Sequence, residues 1–223
     1  QDLGNDLLSN FSLNNRNQIL EDANDSLIKF INYIFYDQKG SYSDLLMDPH
    51  VFATTDFLRK VFGLPQVSND PHKLPDGQAR GILLAPARLF SAQPNATSDP
   101  FVRGTRIVED FLCKKVENPD SLFQNNAELI RLPPFDPNKT TQQRYAEITQ
   151  APVCMACHQN INPPGFAMEN FDVFARPRKE EMLYEDLGND EFQHVSTLPL
   201  YTSSSMPLWP DQSFTIQDGL DMP

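Results

Sequence analysis

The string Cys154-Met155-Ala156-Cys157-His158 restricts this chain more than any other feature of its sequence. Two thiols three positions apart stand about one helical turn from each other, on one face. Each can then reach one vinyl group of a single porphyrin, while the His directly after the second Cys turns its imidazole toward the iron. That is the pattern of covalent haem attachment. With 3 Cys and 4 His in 223 residues, chance produces the string in about 7 × 10⁻⁴ of such chains.

Other uses of close cysteines fit less well. A zinc site needs four ligands, and Cys113, His50, His72 and His194 are what remains, none at finger spacing. A thioredoxin-like dithiol belongs at a strand end that opens a helix in a βαβ unit, whereas helical sequence and Pro152 precede this pair. A plain disulfide between residues this close is strained. Cys113, among Phe111, Leu112 and Val116, reads as a small buried apolar residue on a helix.

The expected fold is mainly α: a helical front segment followed by a cytochrome c-like haem-binding module with long Pro-rich loops. Nineteen prolines against nine glycines imply stiff connections. Asp25 or Ser26 is expected to cap a helix carrying Leu27, Phe30, Ile31, Ile34 and Phe35. Asp56 to Phe62 reads as a short helix stopped by Gly63 and Pro65, and Arg80 to Phe90 as one broken near Pro86. Asp99-Pro100 starts a longer helix through Ile107, Val108, Phe111 and Leu112, with Pro in the favoured first turn. Thr140 or Thr141 caps a helix through Tyr145 and Ile148 that leads into Cys154. Strand signals are weak, and beyond Arg178 the pattern fades into a polar, acidic tail. A boundary near 138 divides the chain into a helical domain, 1–138, and the haem-binding module, 139–223.

Around the string lie candidate supporting residues. A proximal His usually donates its second ring N–H to an acceptor that fixes its orientation. The Pro-rich turn after the motif supplies a carbonyl, from Pro163 or Pro164. Phe166, Phe171 and Phe174 are candidates to pack on the porphyrin or to build core, and Arg176 and Arg178 to pair with the propionates. For the sixth iron ligand the choice is Met206. The following Pro207 biases it toward extended backbone that can lie across a haem face, and Trp209 stands within reach of a propionate. Met168, His194, His72 and His50 are the alternatives.

The segment from Cys154 to Arg178 resembles the terminal cytochrome-like module of large secreted proteins abundant in planctomycetes, a family of domains of unknown function. Its signature is C-x-x-C-H followed by D-P-x-G-F-A-x-E-N-F-D; this chain reads Asn162-Pro163-Pro164-Gly165-Phe166-Ala167-Met168-Glu169-Asn170-Phe171-Asp172. Arg80-Gly81-Ile82-Leu83, the run from Ser98 to Gly104 and Leu112-Cys113 are similar to the same family, as is Phe52 to Phe62 to its preceding helical domain. The chain departs from the family at Asn162, usually Asp, and at Ile148, where members often place a His. The resemblance implies a longer protein, exported from the cytoplasm. Met206-Pro207 also resembles the Met-Pro that supplies the distal thioether in small class I cytochromes c.

The expectation is therefore a monohaem c-type cytochrome, holding one haem c and its iron and transferring electrons in the periplasm or at the cell surface. The competing functions are a peroxidase-like haem enzyme with an open distal site and a structural or redox module of a larger complex. A net charge of −12 argues against nucleic acid and suits a basic redox partner protein. The chain begins Gln1-Asp2-Leu3-Gly4-Asn5 with no signal peptide, as expected of a mature exported protein and equally of a fragment of a longer one. No apolar run is long enough for a transmembrane segment.

Overall fold

The computed structural model describes residues 13–75, 81–90, 97–116, 132–188, 191–200, 203–209 and 212–217. Helix α1, Leu13–Asn32, runs into a π-helical turn, Tyr33–Asp37. The expected cap at Asp25 or Ser26 is instead helix interior. Ser26 is buried and its hydroxyl donates to the carbonyl of Phe52 at 2.7 Å, so it ties α1 to a neighbouring segment rather than opening a helix. Helix α2, Tyr42–Met47, starts with a capping box between Ser41 and Asp44. Helix α3, Asp56–Phe62, is capped by Thr55 and stopped by Gly63 in the left-handed region, φ +67°. Between them His50–Val51 (β1) pairs with His72–Lys73 (β2).

Four helices then build the region around the C-x-x-C-H string. They are α4 (Pro86–Leu89), α5 (Pro100–Asp110), α6 (Thr141–Ile148) and α7 (Pro152–Ala167). Asp99 caps α5 by accepting from the N–H groups of Phe101 and Val102. Thr140 caps α6 in a box with Gln143. Pro163 and Pro164 lie inside α7 rather than in the expected Pro-rich turn after the motif. The carbonyls of Gln159 and Asn160 thereby lose their usual helical donors, and both residues are exposed, so water can serve them. Helix α5 ends at Asp110, so Cys113 sits beyond it, exposed and at φ +52°, not buried on an apolar face.

The fold class departs from expectation, being mixed α/β rather than mainly α. Two antiparallel hairpins follow α7: Glu180–Gly188 (β3) with Glu191–Pro199 (β4), and Ser203–Trp209 (β5) with Gln212–Gln217 (β6). The base of β3 buries Glu181, Leu183 and Tyr184 on both faces, and its outer end from Glu185 is exposed on both. Alternation, the usual sign of a strand, is thus absent from the sequence.

One core contains residues from both sides of position 138. Leu58, Leu89, Phe90 and Ile107 pack in the same cluster as Met168, Phe171, Phe174 and Tyr184. A second cluster under α1 gathers Phe30, Tyr33, Ile34, Leu45 and Phe52.

Candidate haem site

Helix α5 packs along α7 at unusually short range, and two glycines allow it. A Cβ on Gly165 would stand 2.0 Å from the carbonyl oxygen of Pro100, and one on Gly104 would stand 2.1 Å from that of Ile161. Backbone meets backbone there, so no side chain can yield. Next to Gly104, Arg103 is 2% exposed and reaches across the crossing. Its guanidinium donates to the carbonyls of Leu89, Met168, Phe171 and Asp172 and to Oε1 of Glu169 at 3.2 Å. Glu169, 0% exposed, also accepts from Ser98 Oγ at 2.6 Å and from Arg178 at 3.3 Å. Burial pushes the Glu169 carboxyl up and the Arg103 guanidinium down, and their mutual attraction opposes both shifts. Glu181 accepts from the backbone and hydroxyl of Thr141, fastening β3 to the start of α6.

This frame positions one turn of α7. Cys154 and Cys157 are both free and half-buried, three positions apart on the helix, with His158 beside them. Val153 and Met155 on the same turn, and Ile148 at the end of α6, leave large apolar surfaces exposed. The His158 ring lies 4.2 Å from the Phe101 ring, which in turn meets the Tyr145 ring edge-on at 4.6 Å. Burial, with Asp99 and Glu169 nearby, holds the Tyr145 hydroxyl far above the ordinary phenol range.

His158 Nδ1 is 3.0 Å from Oδ1 of Asn162, one helical turn on. Asn162 is buried, and its Nδ2 donates to Thr149 Oγ1 at 2.9 Å. The Thr149 hydroxyl lies 3.1 Å from the carbonyls of Tyr145 and Ala146. Nε2 of His158 has no hydrogen-bond partner among the described residues. Burial lowers the His158 pKa, against a smaller upward pull from Asn162, so the neutral ring with a free lone pair is favoured.

These residues fit a covalently held haem. Two partly exposed thiols sit at the right spacing, the imidazole nitrogen beside them has no partner among the described residues, and exposed apolar side chains stand on the same turn. No three His, Cys, Asp or Glu side chains gather as a metal-holding group among the described residues. A haem iron needs none, because the porphyrin supplies four of its ligands.

Residues 79–181 match a known family. Its description is PSCyt3, protein of unknown function (DUF1588). The matched stretch contains the C-x-x-C-H string, both glycines of the crossing and the Arg103–Glu169 pair, and it ends on Glu181. The hairpin carrying Met206 and Trp209 lies outside it. No curated protein and no solved structure matches the chain.

The structure distributes the other candidates unevenly. The acceptor facing His158 Nδ1 is the Asn162 side chain, one residue before Pro163. Phe166, Phe171 and Phe174 are buried, with Phe174 6.1 Å from Phe57 in the core, as is Met168. Arg176 Nε is held by Asp172 at 2.6 Å, and Arg178 by Glu169 and Ser98. Among the histidines, His50 pairs with Asp48 at 2.8 Å and exposed His194 meets Thr197 Oγ1 at 3.0 Å. The backbone of Met206 and Trp209 lies on β5, which runs beside α7; their side chains lie outside the described residues.

Sequence reasoning missed Asn162 as the partner of the ring, Thr149 as the partner of Asn162, and Phe101 against the ring. The first was within reach, since His158 and Asn162 stand four apart on one helix. Thr149 and Phe101 carry no local signal, because tertiary packing brings them there.

Proposed function

We propose that this chain is a monohaem c-type cytochrome that transfers electrons, as a domain or subunit of a larger protein outside the cytoplasm. The observation that carries the reading is the single turn of α7 that presents two partly exposed thiols and an Nε2 of His158 with no hydrogen-bond partner among the described residues, beside exposed apolar side chains. Haem supplies one-electron redox chemistry when bound. Cys154 and Cys157 would hold it by thioether bonds, and Nε2 of His158 would ligate the iron. Val153, Met155 and Ile148 would give up their contact with water to the porphyrin.

Met206 is the sixth ligand in this reading. Its support is the course of β5 beside α7 and the Pro207 that follows it. A Met206 thioether ligand in addition to His158 would raise the potential of a bound haem, which suits an electron carrier over a peroxide-binding site. The charge of −12 would steer a basic redox partner toward the protein. No helix among the described residues is long and apolar enough to cross a membrane.

The test is expression in a bacterium equipped for haem attachment in its periplasm, then mass spectrometry of the denatured protein and a pyridine haemochrome spectrum. The wild-type mass should exceed the polypeptide by one haem, and the Cys154→Ala/Cys157→Ala double variant should match the bare polypeptide. A wild-type chain that emerges without haem under these conditions refutes the reading.

A further inference from the structure

We propose that Thr149 and Asn162 are positioning residues that choose the tautomer of His158, through side chains alone. The inference deepens the haem reading above and rests on it for its redox consequence, but not for the tautomer itself. The argument starts from the Thr149 hydroxyl, which has one proton. The carbonyls of Tyr145 and Ala146, each 3.1 Å away, can only accept it. Thr149 therefore offers a lone pair to Asn162, whose amide must turn its NH2 toward that oxygen, at 2.9 Å. That leaves Oδ1, an acceptor only, facing the ring at 3.0 Å. His158 must then carry its proton on Nδ1 and its lone pair on Nε2, the nitrogen that would meet the iron.

Turning the amide over would send the Thr149 proton to Asn162 and withdraw it from both carbonyls. It would also place a donor against Nδ1 and the ring proton on Nε2, where no acceptor stands among the described residues. Asn162 and Thr149 are both buried, so water does not readily substitute. The whole relay returns to the last turn of α6, so the orientation of the ligand is set by a different helix from the one that bears it. A side-chain amide is also a different acceptor from a backbone carbonyl, since substitution can change its charge without moving the main chain.

The experiment has two arms. In the first, the full chain is made without haem attachment, and the 15N shifts of His158 are read in wild type, Thr149→Ser and Thr149→Val above the pH at which the ring protonates. Wild type and Thr149→Ser should show the proton on Nδ1 alone, and Thr149→Val should lose that purity and populate both tautomers. A wild type with its proton on Nε2, or a Thr149→Val spectrum indistinguishable from wild type, overturns the proposal. In the second arm, the haem-loaded Asn162→Asp variant should have a lower midpoint potential than wild type, because a carboxylate draws the Nδ1 proton more strongly and makes the ligand more basic. Thr149→Ser should keep the wild-type value, and an unchanged potential in Asn162→Asp also overturns the proposal. Failure to attach haem removes the proposed function and the second arm, while the first still decides the tautomer.

Discussion

Replacing Gly165 by Ala tests the helix crossing on which the site is built. The new methyl would stand 2.0 Å from the Pro100 carbonyl oxygen and 2.9 Å from the carbonyl carbon. Non-bonded heavy atoms want about 3.5 Å, so α5 and α7 must part by roughly 1 Å or more. Such overpacking costs about 1–3 kcal/mol. The same movement stretches the Arg103 bonds to the carbonyls of Met168 and Phe171, now 3.0 and 2.8 Å, and each charged bond lost adds about 1.5–3 kcal/mol. Ala regains about 0.8–1 kcal/mol of helix propensity over Gly. The net destabilisation is about 3 kcal/mol, or a fall in Tm of roughly 6–12 °C for a chain of this size. Gly63→Ala is the control. Its Cβ meets nothing within 4 Å, so it bears only the left-handed backbone cost of about 1–2 kcal/mol. Urea unfolding of the two variants alongside wild type gives both numbers. If Gly165→Ala loses no more stability than Gly63→Ala, the helices do not approach as closely as described.

Arg103→Met would leave Glu169 buried without its nearest guanidinium and take one donor from each of four carbonyls, of which those of Met168 and Asp172 keep a backbone N–H, a loss of about 3–5 kcal/mol by chemical denaturation; a loss under 1 kcal/mol would contradict the burial of the pair. In the haem-free chain, NMR titration should put the His158 midpoint below 6.5, chiefly because the ring is desolvated. A lowered midpoint means the folded state resists protonation, so the His158 contribution to stability is full above 6.5 and is lost as pH falls through the folded value; a midpoint at or above 6.5 would contradict this. In the haem-loaded protein, Met206→Ala should change the visible spectrum and let carbon monoxide bind readily, and an unaltered spectrum with unaltered binding would eliminate Met206 as a ligand.

The features legible in the sequence are those settled within a turn or two of chain. Thr55 and Gly63 bound α3, Asp99 and Pro100 open α5, and Thr140 with Gln143 opens α6, because each satisfies backbone groups a few positions away. The spacing of Cys154, Cys157 and His158 is of the same kind: once this stretch is helical, the face they share follows. Tertiary structure decided what depends on distant surfaces meeting. Nothing within a turn of Arg103 signals its burial against Glu169, 66 residues away, which follows because two glycines let their helices close to backbone contact. Glu181, at the base of β3, is held by Thr141 from 40 residues off, and with both faces covered there the strand shows no alternation to read. Thr149 and Asn162 stand 13 positions apart with no local signal joining them. They become a relay to His158 only when α6 is laid against α7, because a hydrogen bond between side chains on separate helices depends on where the helices pack, and no single segment of the sequence carries that information.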